Sequence, residues 1–209
     1  NSQILLIMSS VVSKPSVIEP KDIDKLNIKY RSLSIENRVL ELYKDFNMHD
    51  VMLTSSFAAT SALLLKLFSD HKKDQIIHFI DTGFHFKETL IYKEYLTQLY
   101  DLKVKSVTAE DWKHEFTITD ETWSKDPDLC CSINKVDPLS ELKKQHTVWV
   151  SGLMSWQSDH RSSLNIFEER SGILKFYPLL DVTREERDAF IHDHHLPFHP
   201  LISKGYYSI

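Results

Sequence analysis

Between residues 35 and 177 the sequence switches period repeatedly. Stretches with apolar residues at helical spacing alternate with short apolar runs, and most runs break off into a polar loop. The runs Val51–Leu53 with Thr54, Gln75–Ile80, Leu102–Val107, Thr147–Val150 and Ile173–Tyr177 predict strands. Most are apolar at consecutive positions, as strands buried on both faces must be. Ile35–Phe46, Ala58–Phe68 and Phe86–Tyr100 predict helices. Asp137-Pro138 predicts another helix start, with Asp as cap and Pro in the first turn. Thr183-Arg184-Glu185-Glu186 is a capping-box pattern that starts a helix to about His194, and Pro197 prevents its continuation. Strand and helix alternating at this spacing imply an α/β fold: a single three-layer domain with a mostly parallel sheet flanked by helices.

A chain of 209 residues, 42% of them apolar, holds one such domain. Residues 35–209 are assigned to it and residues 1–34 to an N-terminal lead-in. Within the lead-in, residues 13–30 carry two prolines and mixed charge and read as extended or irregular. The formal net charge of −5 argues against a nonspecific nucleic-acid binder, which carries a basic excess. No apolar run reaches the ~18 residues that suggest a membrane span. The apolar stretch Gln3–Val12 lacks the basic flank of a leader peptide. The two cysteines are neighbours and form no disulfide framework, so a reducing cytoplasm is the expected location.

In sheets of this kind ligands sit beyond the carboxyl ends of the strands. The loop Thr54–Ser61 clusters hydroxyls between a strand and a helix start. Free amides and the helix dipole favour an anion there, although plain helix capping is the simpler reading. It has no glycine, which excludes a Walker loop and a Rossmann fingerprint. Asp81-Thr82-Gly83 ends a strand and reads either as a contact to a sugar or adenine edge or as a turn into the next helix. In Ser151–Arg161, Gly152 permits close backbone approach, and Arg161 is a bidentate clamp for phosphate or sulfate or else a solvated side chain. Adjacent cysteines bridge only with strain, so Cys130 and Cys131 read as two structural thiols or as two of the four ligands of an iron–sulfur site. His192, His194, His195 and His199, with Asp193, read as a helix end rather than a metal site, because Pro197 interrupts their shared face.

The order and spacing of these loops resemble the sulfonucleotide reductase family. Lys135-Val136-Asp137-Pro138-Leu139 after the cysteines, Gln157-Ser158 with Arg161, Leu196-Pro197-Phe198-His199-Pro200-Leu201 and Lys204-Gly205-Tyr206-Tyr207-Ser208-Ile209 strengthen the resemblance, which covers residues 35–209. It implies an adenine nucleotide alpha hydrolase-like fold. The implied activity is thioredoxin-dependent reduction of adenylyl sulfate to sulfite and AMP in assimilatory sulfate reduction, with phosphoadenylyl sulfate as the alternative substrate. By resemblance Ser55, Ser56 and Phe57 line the nucleotide site, with Gly152 and Leu153 beside them, and Asp81, Thr82 and Gly83 sit near the adenosine. Lys135 and Arg161 match the cations that face the phosphate–sulfate anion. The Cys130-Cys131 pair marks members with a 4Fe-4S cluster, which mostly use adenylyl sulfate. Two further cluster ligands and the nucleophilic cysteine are expected beyond Ile209, so no catalytic residue is assigned within the chain. The implied partners are the sulfonucleotide and thioredoxin or glutaredoxin, without nucleic acid or membrane; a homo-oligomer is compatible with the family.

There are three departures. Ala58 and Thr60 stand where the family often has Gly and Gln. Met154-Ser155 stand where many members carry two arginines, which removes positive charge. The segment with the second cysteine pair and the nucleophile lies outside the residues at hand. Two rivals remain. An ATP pyrophosphatase of the same fold needs the loop Ser-Gly-Gly-x-Asp-Ser, whose glycines and Asp are missing from residues 55–61. A non-catalytic nucleotide-binding or redox-sensing protein would keep the cleft alone.

Overall fold

The computed structural model describes residues 20–206. Helices α1 (Pro20–Arg31) and α2 (Ile35–Asp45) lead into strand β1 (Val51–Thr54). Then follow α3 (Ser61–His71), β2 (Ile76–Ile80), α4 (Lys87–Leu99) and β3 (Lys103–Val107). A helical stretch runs through α5 (Asp111–Thr119), α6 (Thr122–Lys125), α7 (Pro127–Cys131), a π-turn at Ser132–Val136 and α8 (Asp137–Lys143). Strand β4 (Val148–Val150), α9 (Asp159–Ser162), β5 (Phe167–Arg170), β6 (Ile173–Phe176) and α10 (Arg184–Asp193) complete the order.

The six strands form one sheet in the order β3-β2-β1-β4-β6-β5. All neighbours are parallel except β5, which runs antiparallel to β6. Alternate residues of a strand point to opposite faces. Val51 and Leu53 of β1 accordingly join the main core with Val148, Val150 and the leucines of α3. Met52 points the other way, into a smaller core with Ile173 and Leu142 of α8. Both faces of β1 are covered, which is why its residues are apolar at consecutive positions. No helix among the described residues is long and apolar enough to cross a membrane.

Three elements correct the expectation. Residues 20–30 are helical rather than irregular, while 13–19 lie outside the described residues. Asp22 in the first turn of α1, and Lys29 and Arg31 in its last, suit the helix dipole. The side chain of Asn27 donates to the carbonyl of Phe167 (3.0 Å) and accepts from its amide (2.8 Å). This pair satisfies backbone groups of the edge strand β5 that would otherwise be open. Tyr30 is fully buried, edge-on to Phe167 at 4.8 Å and to Phe176 at 5.5 Å. Strand β5 itself was not expected, because Phe167-Glu168-Glu169-Arg170 has one buried side chain and no alternation. The signal that does mark it is Ser171-Gly172, a two-residue hairpin loop with φ of 55° and 74°.

The third correction concerns Asp137-Pro138. Helix α8 begins at Asp137 with Pro138 in its first turn, but Asp137 is not its cap: Val136 is already right-handed helical, and the backbone runs on from the π-turn into α8. Proline in a helix interior lacks an N–H and crowds the carbonyl four residues back. The wider π-turn just before Pro138 absorbs both defects.

Candidate active site

Strands β1 and β4 are neighbours, yet the chain leaves them in opposite directions across the sheet, from β1 toward β2 and β3 and from β4 toward β6 and β5. Connections that diverge in this way open a crevice at the carboxyl ends of the two strands. The crevice holds a cavity of about 610 Å³, walled by the loop after β1, the loop after β4 and the first turn of α10.

The loop after β1 is held from below. The indole Nε1 of Trp149 donates to the hydroxyl of Thr54 (2.8 Å), tying the end of β1 to β4. The Ser55 amide donates to the carbonyl of His78 (3.1 Å), and the Ser55 hydroxyl accepts from the Phe57 amide (3.1 Å). Phe57 takes a left-handed φ of 53° and is fully buried, with its ring 5.8 Å from that of Phe79. That backbone conformation costs a non-glycine residue roughly 1–2 kcal/mol, which the burial of a whole phenyl ring offsets. Phe57 is therefore the anchor of the loop; its expected place in the lining is corrected, because its side chain belongs to the core. Ser55, Ser56 and Ala58–Ser61 face the cavity around it. Thr60 precedes α3 without any side-chain cap bond, so plain capping does not account for the hydroxyls. The uncapped first turn of α3 presents amides and the positive end of the dipole to the cavity.

The loop after β4 approaches α3 closely. A Cβ on Gly152 would meet Leu64 at 3.2 Å, and Gly152 and Leu153 both line the cavity. Met154, standing where positive charge was expected, is fully buried in the core. The Gln157 side-chain oxygen accepts from the Met154 amide (3.1 Å) and from a guanidinium Nη1 of Arg161. One amide thus sets both the loop and the arginine, which lines the cavity.

Two cations missed in the sequence complete this wall. Arg184 and Arg187, on the first turn of α10, line the cavity and stack on Trp156, their guanidinium carbons 4.6 and 5.0 Å from its ring centre. Among the described residues no Asp or Glu lines the cavity, so a chain of net negative charge holds a cationic cleft. Residues 183–186 form the capping box that the sequence predicts. The overlooked signal is a pair of arginines spaced i, i+3 at the end of a helix where the dipole disfavours cations.

The remaining expected residues lie elsewhere. Asp81-Thr82-Gly83 follows β2, one strand from the crevice, and is outside the cavity wall. It closes on itself: Asp81 accepts from the Gly83 amide (3.1 Å) and Thr82 from the Phe84 amide (3.3 Å). Gly83 has φ +75°, and a Cβ there would lie 2.5 Å from the His114 ring, so this position admits only glycine. His114 is in turn 2.7 Å from the side-chain oxygen of the buried Asn134. Asn134 donates to the Cys130 carbonyl (3.1 Å) and reaches its sulfur at 3.6 Å. Cys130 is buried, Cys131 is exposed, and both are free thiols. Lys135 is exposed on the π-turn and does not line the cavity. His199 is buried and bonded to Thr89 at 3.1 Å, away from the exposed His192, His194 and His195.

A doubly wound sheet with hydroxyls, helix-terminal amides and arginines at its switch point defines an α/β protein with a crevice suited to an anion. Residues 50–209 match the phosphoadenosine phosphosulfate reductase domain, and the chain belongs to that family of oxidoreductases acting on a sulfur group. It is 30% identical over 210 residues to the phosphoadenosine 5′-phosphosulfate reductase of Aliivibrio fischeri, covering 98% of this chain and 83% of that protein. It is 32% identical over 174 residues to the adenosine 5′-phosphosulfate reductase of Geobacillus kaustophilus, covering 80% of this chain and 73% of that one. Its fold is similar to the crystal structure of phosphoadenylyl-sulfate reductase from Candida auris in a phosphate complex. That comparison has a TM-score of 0.81 at 24% identity and covers 94% of this chain and 96% of the other. The two named bacterial relatives differ in the sulfonucleotide their names carry.

Proposed function

We propose that this chain is the nucleotide-binding body of an enzyme that reduces adenylyl sulfate to sulfite and AMP with electrons from a thioredoxin-type thiol, in the cytoplasm. The observation that carries the reading is the cleft itself, an arginine-lined cavity against the uncapped N-terminus of α3 at the switch point of the sheet. Oxyanions are bound well by helix-terminal amides and by guanidinium forks.

The chemistry is a displacement at sulfur. A cysteine thiolate from outside residues 1–209 attacks the sulfur of the bound nucleotide. The bond from sulfur to the phosphate oxygen breaks, its electron pair stays on that oxygen, and AMP leaves. A second thiol then attacks the cysteine sulfur of the S-sulfocysteine, and sulfite departs with the pair of the broken S–S bond. Two thiols end as a disulfide while sulfate-level sulfur ends as sulfite. Within this chain Arg161 and the amides of α3 neutralise the oxygens as charge builds on the leaving phosphate.

The choice of adenylyl sulfate rests on Cys130 and Cys131. Two free thiols, one at the surface and one just beneath it, fit half of a four-thiolate donor set, and we assign them to a 4Fe-4S cluster completed by two thiolates from elsewhere. When bound there, such a cluster would keep Cys130 and Cys131 deprotonated and would tie the segment carrying the other two thiolates to the rest of the fold. A second reading, phosphoadenylyl sulfate, draws on the three arginines of the cleft, more charge than a single phosphosulfate group calls for.

The test is sulfite release by the full-length protein, purified without air, with thioredoxin and each sulfonucleotide in turn. Release from adenylyl sulfate with iron bound supports the proposal. Release only from phosphoadenylyl sulfate reverses the substrate choice. No release from either, with iron bound, leaves a non-catalytic nucleotide binder.

A further inference from the structure

We infer that Arg184 and Arg187, held on Trp156, form a second oxyanion subsite of the cleft, distinct from the one made by Arg161 and the first turn of α3, and that it takes a phosphate group of the bound nucleotide. The inference rests on reading the cleft as the sulfonucleotide site.

The two arginines occupy a place that local energetics disfavour. They stand on the first turn of a helix, where the dipole repels cations, and they are like charges three residues apart on one helix face. An oxyanion between them relieves both penalties. Their geometry is set in advance. The Trp156 indole donates to the Val182 carbonyl (3.0 Å), which fixes the ring against which both guanidinium groups lie. A stacked guanidinium has lost much of its rotamer freedom before a ligand arrives, so its N–H fork engages an anion at lower entropic cost.

The nearby carboxylates leave Arg184 whole and one edge of Arg187 available. Glu186 is engaged with the Thr183 amide (2.8 Å) in the capping box. Asp188 accepts from Nε and Nη2 of Arg187 (2.9 and 2.6 Å), which leaves Nη1 of that arginine. Among the described residues no carboxylate lies within ion-pair distance of Arg184 or Arg161. Trp156 also follows directly on Met154-Ser155, where the loop lacks the cations its resemblance calls for. Arg184 and Arg187 bring charge back to the same wall from a different element.

Binding of AMP and of adenosine 3′,5′-bisphosphate to the chain is measured by calorimetry over a salt series, for the unaltered protein and for Arg184→Gln, Arg187→Gln, Trp156→Ala and Trp156→Phe. The expected result is a loss of about tenfold in affinity for each arginine, with a shallower dependence on salt. Trp156→Ala is expected to weaken binding and Trp156→Phe, which keeps an aromatic platform, to restore most of it. Loss for both ligands assigns the subsite to the 5′ side of the nucleotide; loss for the bisphosphate alone assigns it to a 3′-phosphate. Unchanged affinity and salt dependence for both ligands in both arginine variants overturns the subsite and leaves the cleft reading standing. If the unaltered, folded chain binds neither ligand, the cleft reading falls and the subsite with it.

Discussion

At the scale of single residues the site depends on side chains that hold other groups in place. Phe57 turns the serine loop by burying itself, and Gln157 holds Arg161 by one amide oxygen. In the full-length enzyme, Arg161→Ala is expected to lower kcat by about 10²–10³, the usual effect of removing one donor from a developing oxyanion. The melting temperature should stay nearly unchanged, because the residue is partly exposed. A melting temperature that falls along with the rate would make Arg161 structural. A second residue sets a pH response. Burial, and after it the neighbouring His146 ring and Lys105, pushes the His78 imidazole down to about 4, against about 6.5 in the unfolded chain. Below pH 6.5 the unfolded state therefore binds more protons than the native one. Stability is full above that pH and is lost as pH falls from 6.5 toward 4, at up to about 1.4 kcal/mol per pH unit from this group. Denaturation curves across that window should flatten in His78→Gln; an unchanged slope would remove His78 as the cause.

At the scale of elements, two helices outside the cavity wall decide much of the architecture. Helix α1 seals the sheet edge through Asn27, and α2 joins it to the approach of α10 through Arg38. That guanidinium is buried and donates to the carbonyls of Tyr30 and Pro178 (2.9 Å each) and to both oxygens of Asp181 (2.5 and 2.6 Å). The contact holds the Asp181 carboxyl below its ordinary pKa. Asn27→Leu removes both bonds to Phe167 and leaves its amide and carbonyl unmatched in a buried place, a cost of about 1–3 kcal/mol. Thr183→Ala removes the cap of α10 at a cost of about 1 kcal/mol. It should also weaken nucleotide binding, since Arg184 and Arg187 ride on that turn. Urea unfolding and ligand titration on the same samples check both, and a Thr183 variant that binds normally would detach the helix start from the site.

At the scale of the whole molecule, a net charge of −5 coexists with a cleft lined by three arginines. Concentrating the cations in the proposed binding cleft is expected to make binding dependent on salt and to stabilise the fold when an anion is bound. At a nucleotide concentration 100 times Kd the linked stabilisation is about 2.7 kcal/mol. For a chain of this size that corresponds to a rise of roughly 5–10 °C in melting temperature. A thermal scan with saturating AMP at low and high salt checks it: the Kd should rise with salt, and no shift at saturation at either salt would mean that the cleft does not take the nucleotide.

The alternation of periods was enough to determine the α/β class, the parallel strands and the strand-end loops that carry the hydroxyls, Gly152 and Arg161. These are local properties: a strand buried on both faces must be apolar throughout, and a parallel sheet places its loops at one end. Which loops share a site was not legible, because it depends on strand order. Only the placement of β4 beside β1 brings residues 54–61 and 151–161 together, and it leaves Asp81-Thr82-Gly83 a strand away. The buried role of Phe57, the closure of β5 by Asn27 across 140 residues of sequence, and the stacking of Arg184 and Arg187 on Trp156 were likewise decided by tertiary contacts. Sequence carries the period of an element and the chemistry of a loop; which residues far apart in the chain become neighbours is settled only when the elements pack.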